Sequence, residues 1–382
     1  MRVLAIALGC VLLTATILAQ AAPQPTAAAP PTLQEVRKGM GIPSEGEVRG
    51  QQDVVGFASK PEQMARLWEL ANNTTGLALL GSAPAGPAIG VLCPHDDYLY
   101  AGRVYREVLP LLNARTVVLV GVFHKYRRFG AHDALVFDPY RAWRSPDGEI
   151  PVSGLRDELL AALPPGDFIK DAAMHDSEHS LEALAYWLKH IRPDVEILPI
   201  IVPACSFSRM QELAGHVAGR LAKLMRDRSL ALGRDVAVAI SSDAVHYGAD
   251  FKFVPYGDGG VEAYSKACTR DHELLQGLGG PLAPATAQHF FEACVKGDDP
   301  SQYRLTWCGR FSIPFGLLLL EGLARECSIA GLVGMPLSYS TSVGQPELPV
   351  RELGMGETAP ANLYHFVGYP AAAFVAAVPP AR

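Results

Sequence analysis

Residues 91–105 read VLCPHDDYLYAGRVY. The apolar run Val91-Leu92-Cys93 stops at Pro94, which has no N–H to give to a sheet ladder. His95, Asp96 and Asp97 follow, and a helical pattern takes over across 102–112. In open α/β folds, ligands collect outside the carboxyl ends of the strands, where such a cluster would sit.

The same grammar recurs outward from this stretch. Residues 88–92 (AIGVL), 116–120 (TVVLV), 196–202 (EILPIIV) and 235–240 (DVAVAI) are short, β-branched and unalternating, as expected of strands covered on both faces. Helical patterns lie between and beyond them, at 155–163, 180–190, 208–226, 260–276, 285–296 and 314–326, with an early surface helix at 61–70. No repeat with a period of 20–50 residues is present. The alternation predicts a three-layer α/β/α fold with a mostly parallel central sheet.

Three of the predicted strand ends carry polar groups: CPHDDY with His95, GVFHKY with His124, and SSDAVHYG with Asp243 and His246. The end at VPACSF offers only Cys205 and Ser206. Neutral imidazole is the commonest metal ligand, and adjacent strands lie about 4.8 Å apart. His95 and His124 are therefore candidates for one shared ion, or for a catalytic pair. Cys308, in a Gly turn before the apolar helix of TWCGRFSIPFGLLLLEGL, is a candidate third ligand, because a helix N-terminus favours thiolate. A small buried residue or half a disulfide would look the same. MHDSEHSLEAL sets His175, Glu178 and His179 at a helix start with Asp176 or Ser177 as cap. His246, three residues after Asp243, is placed to act as a general acid/base; alternatively, Asp243 caps a turn.

Bulk features bound the rest. Arg2, the apolar run 3–18 and Ala19-Gln20-Ala21 read as a cleavable export signal over 1–21. The run is about 16 residues, short of the roughly 20 a membrane span needs. Residues 22–32 are an Ala/Pro-rich flexible spacer, and 33–382 are expected to form one α/β domain. Removing Arg2 from the 33 Lys+Arg leaves 32 against 39 acids, a net charge of −7. With no Lys/Arg cluster, nucleic acid and anionic membranes are not expected partners. The expected location is the periplasm or the extracellular space. Of seven cysteines, six remain after cleavage, without a CxxC; pairing among Cys268, Cys294 and Cys327 is one option. No GxGxxG, GxxxxGK[ST] or GxSxG motif occurs, so Ser241 and Ser242 lack the context of a serine hydrolase.

The motifs together resemble the Memo family, also called AmmeMemoRadiSam system protein B. PHDDYLYAG is similar to its PHAGYxYSG, GVFH to GPxH, EHSLEALAYWL to EHSxExxLP, SSDAVHYG to SSDxxHxG, and CGRFSIPFGLLL to CGRxPI. VVGFASKPEQMARLWEL resembles the family's entry segment and VGYPAAAFV its closing strand, so the likeness runs from about 48 to 377. The resemblance implies a fold similar to class III extradiol dioxygenases. It implies an iron or copper ion, zinc being less favoured, held by His95, His124 and Cys308. Asp243, His246 and His179 would line the same pocket as catalytic groups. It implies a redox enzyme or oxygenase acting on a small molecule; an iron- or copper-handling protein and a metal-assisted hydrolase are the alternatives. The family's cytosolic partners, a radical SAM protein and an AMMECR1-like protein, are not expected to meet an exported chain. Asp96-Asp97 replace Ala-Gly, Cys93 replaces a small apolar residue, the Pro of GPxH is missing, and Lys125 stands where a second His is usual.

Overall fold

In the computed structural model, residues 41–73, 77–296, 302–358 and 360–377 are described. The expected export signal and spacer lie outside them. In chain order the main strands are β1 (Gly90–Cys93), β2 (Thr116–Val122), β3 (Leu135–Phe137), β4 (Phe168–Lys170), β5 (Glu196–Val202), β6 (Val236–Ser241), β7 (Leu332–Thr341) and β8 (Phe366–Ala376). The main helices are α1 (Pro61–Leu70), α2 (Tyr98–Val108), α3 (Leu155–Ala162), α4 (Ala172–Asp176), α5 (Glu182–Ile191), α6 (Phe207–Asp227), α7 (Val261–Gln276), α8 (Pro284–Cys294) and α9 (Ser312–Glu326).

The strands run in the spatial order β7-β8-β1-β6-β2-β5-β3-β4 within an eleven-stranded sheet that also takes in three two-residue strands. The centre, β1-β6-β2-β5, is parallel. Its flanks are antiparallel: β8 against β1, β7 against β8, and β3 against β5. The expectation of a mostly parallel sheet thus holds for the centre only; β7 and β8 make the whole sheet mixed. Pro370 in β8 is tolerated because β1 pairs only with Ala372–Phe374, so no β1 partner is left without a donor.

Helices flank the sheet in layers. α9 is apolar and buried from Ser312 to Leu320, as a helix stretch covered by its neighbours must be, and only Glu321, Arg325 and Glu326 reach the surface. It presses onto the sheet at Gly316, where a Cβ would stand 2.5 Å from the Ile240 side chain. The amphipathic α6 and the shorter α8 pack on α9, while α2 packs on β1, β7 and β8.

One topological detail sets up the site. β1 and β2 are not neighbours: β6 lies between them, so His95 and His124 start about two strand spacings apart, roughly 9.6 Å. β6 ends level with β1, Ser241 opposite Cys93. Its Ser241-Ser242-Asp243 end is small, which leaves room for both imidazoles to lean across.

Candidate metal centre

His95 leaves β1 immediately after Pro94 and is buried. Its backbone N–H donates to Asp243 Oδ1 at 2.9 Å. Its Nδ1 lies 2.7 Å from Ser241 Oγ, and Ser241 Oγ donates to the Ser180 carbonyl at 2.5 Å. A hydroxyl has one hydrogen. Ser241 has used its own, so it accepts from His95 Nδ1–H, and His95 Nε2 is left as a bare lone pair. That lone pair stands 3.4 Å from Cys308 Sγ and 3.3 Å from Asp243 Oδ2.

His124, just beyond β2, is oriented by Glu178. The buried carboxylate accepts the His124 backbone N–H at 2.7 Å and Nδ1–H at 2.9 Å. It also accepts the N–H groups of His179 and Ser180, each at 2.9 Å. Burial raises its pKa, but His124 and these donors outweigh that and hold it well below the usual carboxylate range. The result is the carboxylate–histidine arrangement that fixes a metal-binding tautomer with Nε2 free.

Cys308 sits in the turn before α9. The turn is clamped to the end of β6 by Gly309 N–H donating to Ser242 Oγ at 3.0 Å. Only glycine allows this approach, since a Cβ there would lie 2.3 Å from that oxygen. The thiol sulfur accepts the Asp243 N–H at 3.1 Å.

The ligand atoms of His95, His124 and Cys308 all lie within 4.8 Å of one another. For bonds of about 2.1 Å to nitrogen and 2.3 Å to sulfur at a tetrahedral angle, such atoms should stand about 3.6 Å apart. The 3.4 Å between His95 Nε2 and Cys308 Sγ fits. Burial pushes the Cys308 thiol well up, with Asp243 adding to it, and pushes the Asp243 carboxyl well up, with Asp96 adding. Burial, with His124 and His179 adding to it, likewise drives the His95 pKa well down. Three acceptors crowd here in their neutral forms. A cation among them would favour the thiolate and carboxylate and use the free Nε2 lone pair, so the residues fit a soft or borderline metal ion.

His179 completes a triangle of imidazoles, its ring centroid 5.7 Å from His95 and 5.1 Å from His124. Burial works against its charge, but Asp53, 2.5 Å from Nδ1, pushes its pKa up to about 10. Asp53 is itself held by Glu182, which accepts its N–H at 3.4 Å and is in turn anchored by Arg49. That guanidinium pairs with Glu182 and donates to the carbonyls of His175 at 2.7 Å and Glu178 at 2.5 Å, while Glu182 accepts the N–H of Gln52 at 2.8 Å. A second group with metal-ligand spacing, His124, Glu178 and His179, is less suited to an ion, because the Glu178 oxygens are already filled by four donors.

The expected pairing of Asp243 with His246 is not what the geometry brings together. Asp243 turns back onto His95 and Cys308. His246 belongs to a two-residue strand on β8, donates through Nδ1 to the Ala244 carbonyl at 3.2 Å, and packs edge-on against Phe251 at 5.0 Å. Its Nε2 is bare, and burial, eased by Asp96, lowers its pKa. His175 is buried elsewhere, with its ring nitrogen on the Val136 carbonyl at 3.1 Å. Neither Asp176 nor Ser177 caps α5. Asp171 caps α4, and Asp176 accepts from Ser44 and Tyr140. Asp53, Arg49 and Ser241 were not legible as site residues, and Glu178 stood out only as an acid at a helix start. Cys93, Cys205, Cys268, Cys294, Cys308 and Cys327 are all unpaired.

Fold and site together define a mixed α/β protein with a His/His/Cys cluster where three parallel strands end. Residues 59–343 match the Memo-like protein family, and the chain belongs to that family. A MEMO1 family protein of Archaeoglobus fulgidus is 34% identical over 160 residues, 42% of this chain and 55% of that protein. One from Methanocaldococcus jannaschii is 33% identical over 171 residues, 42% and 54% of the two chains. One from Aquifex aeolicus is 29% identical over 167 residues, 43% and 41% of the two. The chain spans about half the length of these curated relatives.

Proposed function

We propose that the chain is a metal-dependent redox enzyme, an oxygenase in the manner of the extradiol dioxygenases, acting on a small molecule outside the cytoplasm. The observation behind this reading is the mutual approach of His95, His124 and Cys308 within 4.8 Å, with the Nδ1 of each histidine already committed. These residues would hold iron or copper, with zinc less favoured. Bound there, the ion would supply Lewis acidity or electron transfer and keep positions open for substrate. Asp243 N–H orients the sulfur, and Glu178 and Ser241 hold the imidazoles. His179, kept charged by Asp53, can donate a proton or meet a developing negative charge, and His246 Nε2 can accept a proton from a bound molecule. A small cavity reaches His246, and the His124 side chain is 34% exposed. An open site of this kind favours turnover over storage. Neither a nucleic acid nor a membrane surface is part of the reading; no helix of the described residues is long and apolar enough to cross a membrane. An exported chain would work without a radical SAM or AMMECR1-like partner.

Anaerobically purified mature protein should contain about one equivalent of metal. His95→Ala, His124→Ala and Cys308→Ser should each lose it while keeping the fold by circular dichroism. His246→Ala should keep the metal and lose about 10²-fold in turnover. Full metal retention in the three ligand variants would end the assignment.

A further inference from the structure

Beside the metal cluster lies a cavity of about 250 Å³, whose wall includes Asp96, Tyr100, His246, Phe251, Thr358 and His365. We infer that it is a recess for a small organic cation, an ammonium group carried on a short apolar or aromatic body, seated with its charge against Asp96. The inference rests on the proposed active-site reading and narrows its substrate.

The charge pattern comes first. No Lys or Arg is among the residues lining the cavity. Asp96 is half-buried, and among the described residues no basic side chain pairs with it, although ion pairs are common elsewhere on the chain. Its hydrogen bonds come from neutral donors only: Asp97 N–H to Oδ1 at 2.8 Å and Tyr369 O–H to Oδ2 at 2.6 Å. Each carboxylate oxygen can accept a second bond, so the group keeps acceptor capacity. A carboxylate partly out of water without a counter-charge is costly, and an incoming cation offsets that cost. An anion would add to it.

Part of the same wall is aromatic. Phe251 stacks on His365 with centroids 4.6 Å apart at 27° and meets the His246 ring edge-on at 5.0 Å. Aromatic rings beside a carboxylate, in a wall without Lys or Arg, suit an organic ammonium ion. The volume sits below the 300–1,000 Å³ usual for drug-sized ligands, so the body must be small. The recess lies next to His95. Asp96 follows His95 in sequence, and His246 is near enough to His95 for their charges to oppose each other.

Calorimetry on the purified protein tests this with three probes of one shape: phenethylammonium, 3-phenylpropionate and neutral 2-phenylethanol. Phenethylammonium should bind at least ten-fold more tightly than 3-phenylpropionate. Asp96→Asn should weaken the ammonium about ten-fold and change 2-phenylethanol less than two-fold. Equal or tighter binding of the carboxylate by the wild-type protein, or an ammonium preference untouched in Asp96→Asn, overturns the inference, as does a failure of all three probes to bind. The wild-type comparison stands even if the variant does not fold. Metal content measured on the same samples separates the two readings: a metal-free protein that still prefers the ammonium would refute the metal centre and support the recess.

Discussion

Replacing Glu178 with Gln isolates what the buried carboxylate does for the metal centre. Its oxygens accept the His124 N–H and Nδ1–H and the His179 and Ser180 N–H groups, at 2.7–2.9 Å. A glutamine keeps one acceptor oxygen and puts an NH₂ where the other stood. If the oxygen stays toward Nδ1, His179 and Ser180, the NH₂ faces the His124 N–H, donor against donor. The reverse flip leaves three donors facing the NH₂, so the first orientation wins. One buried donor then goes unsatisfied, costing about 1–3 kcal/mol of stability. The loss of charge behind His124 weakens its basicity, and removing such a partner typically costs 10–100-fold in metal affinity, about 1.4–2.7 kcal/mol. The two effects are read separately: denaturant unfolding of metal-free protein gives the first, and chelator competition on folded protein the second. An affinity within two-fold of wild type in a normally folded Glu178→Gln protein would refute the claim that Glu178 orients a ligand, and with it the assignment of His124 Nε2 to the ion.

Three further outcomes are expected. Ser241→Ala removes the acceptor that fixes the His95 tautomer; metal affinity should fall about ten-fold with little change in the circular dichroism spectrum. Gly309→Ala forces a methyl to within 2.3 Å of Ser242 Oγ, which should cost about 1–3 kcal/mol in a chemical melt and displace Cys308, so metal content should fall too. Asp271 is buried between Trp307 Nε1, Tyr339 O–H and the Val245 N–H. Burial raises its pKa from 3.8 to about 6. Between those values the folded state holds a proton that the unfolded state has released, so stability should fall as pH rises from about 4 to 6, by roughly 3 kcal/mol for a two-unit shift, and pH-dependent melts of Asp271→Asn should lack that component.

What could be read from the sequence was local. The four central strands are continuous apolar runs, and their positions follow from composition alone. His95, His124 and Cys308 stood out because each interrupts an apolar pattern at an element end. What could not be read depends on the order in which strands assemble. Nothing in residues 236–241 says that this strand inserts between the two histidine-bearing strands. Glu178 lies 54 residues from His124, and Asp53 lies 126 from His179; no local periodicity links them. β8 was expected as a strand only through the resemblance of VGYPAAAFV, since the small residues Ala371–Ala373 carry no β-branched signature, and nothing local in β7 or β8 announces that the two pair with each other. The i,i+3 spacing of Asp243 and His246 suggested a pair, but pairing of His246 with Val367 turns that imidazole toward the cavity, while Asp243 stays with His95.

The intruding strand also explains how two distant histidines come to share a point. Had β1 and β2 been adjacent, side chains from their ends would start about 4.8 Å apart and their rings would crowd each other, with no space behind them for the groups that fix their tautomers. With β6 between them the ring centroids settle at 5.3 Å, and the end of β6 and the two residues after it support the cluster: Ser241 accepts from His95 Nδ1, Ser242 holds the Gly309 turn, and Asp243 N–H donates to the Cys308 sulfur, while Glu178 fixes His124. Each of the three residues after Ile240 thus holds a different part of the cluster. A bulky residue at 241 would both push the imidazoles apart and remove the acceptor of the His95 Nδ1 hydrogen. The requirement for small polar residues at 241 and 242 therefore follows from the strand order and from the side chains those residues hold in place.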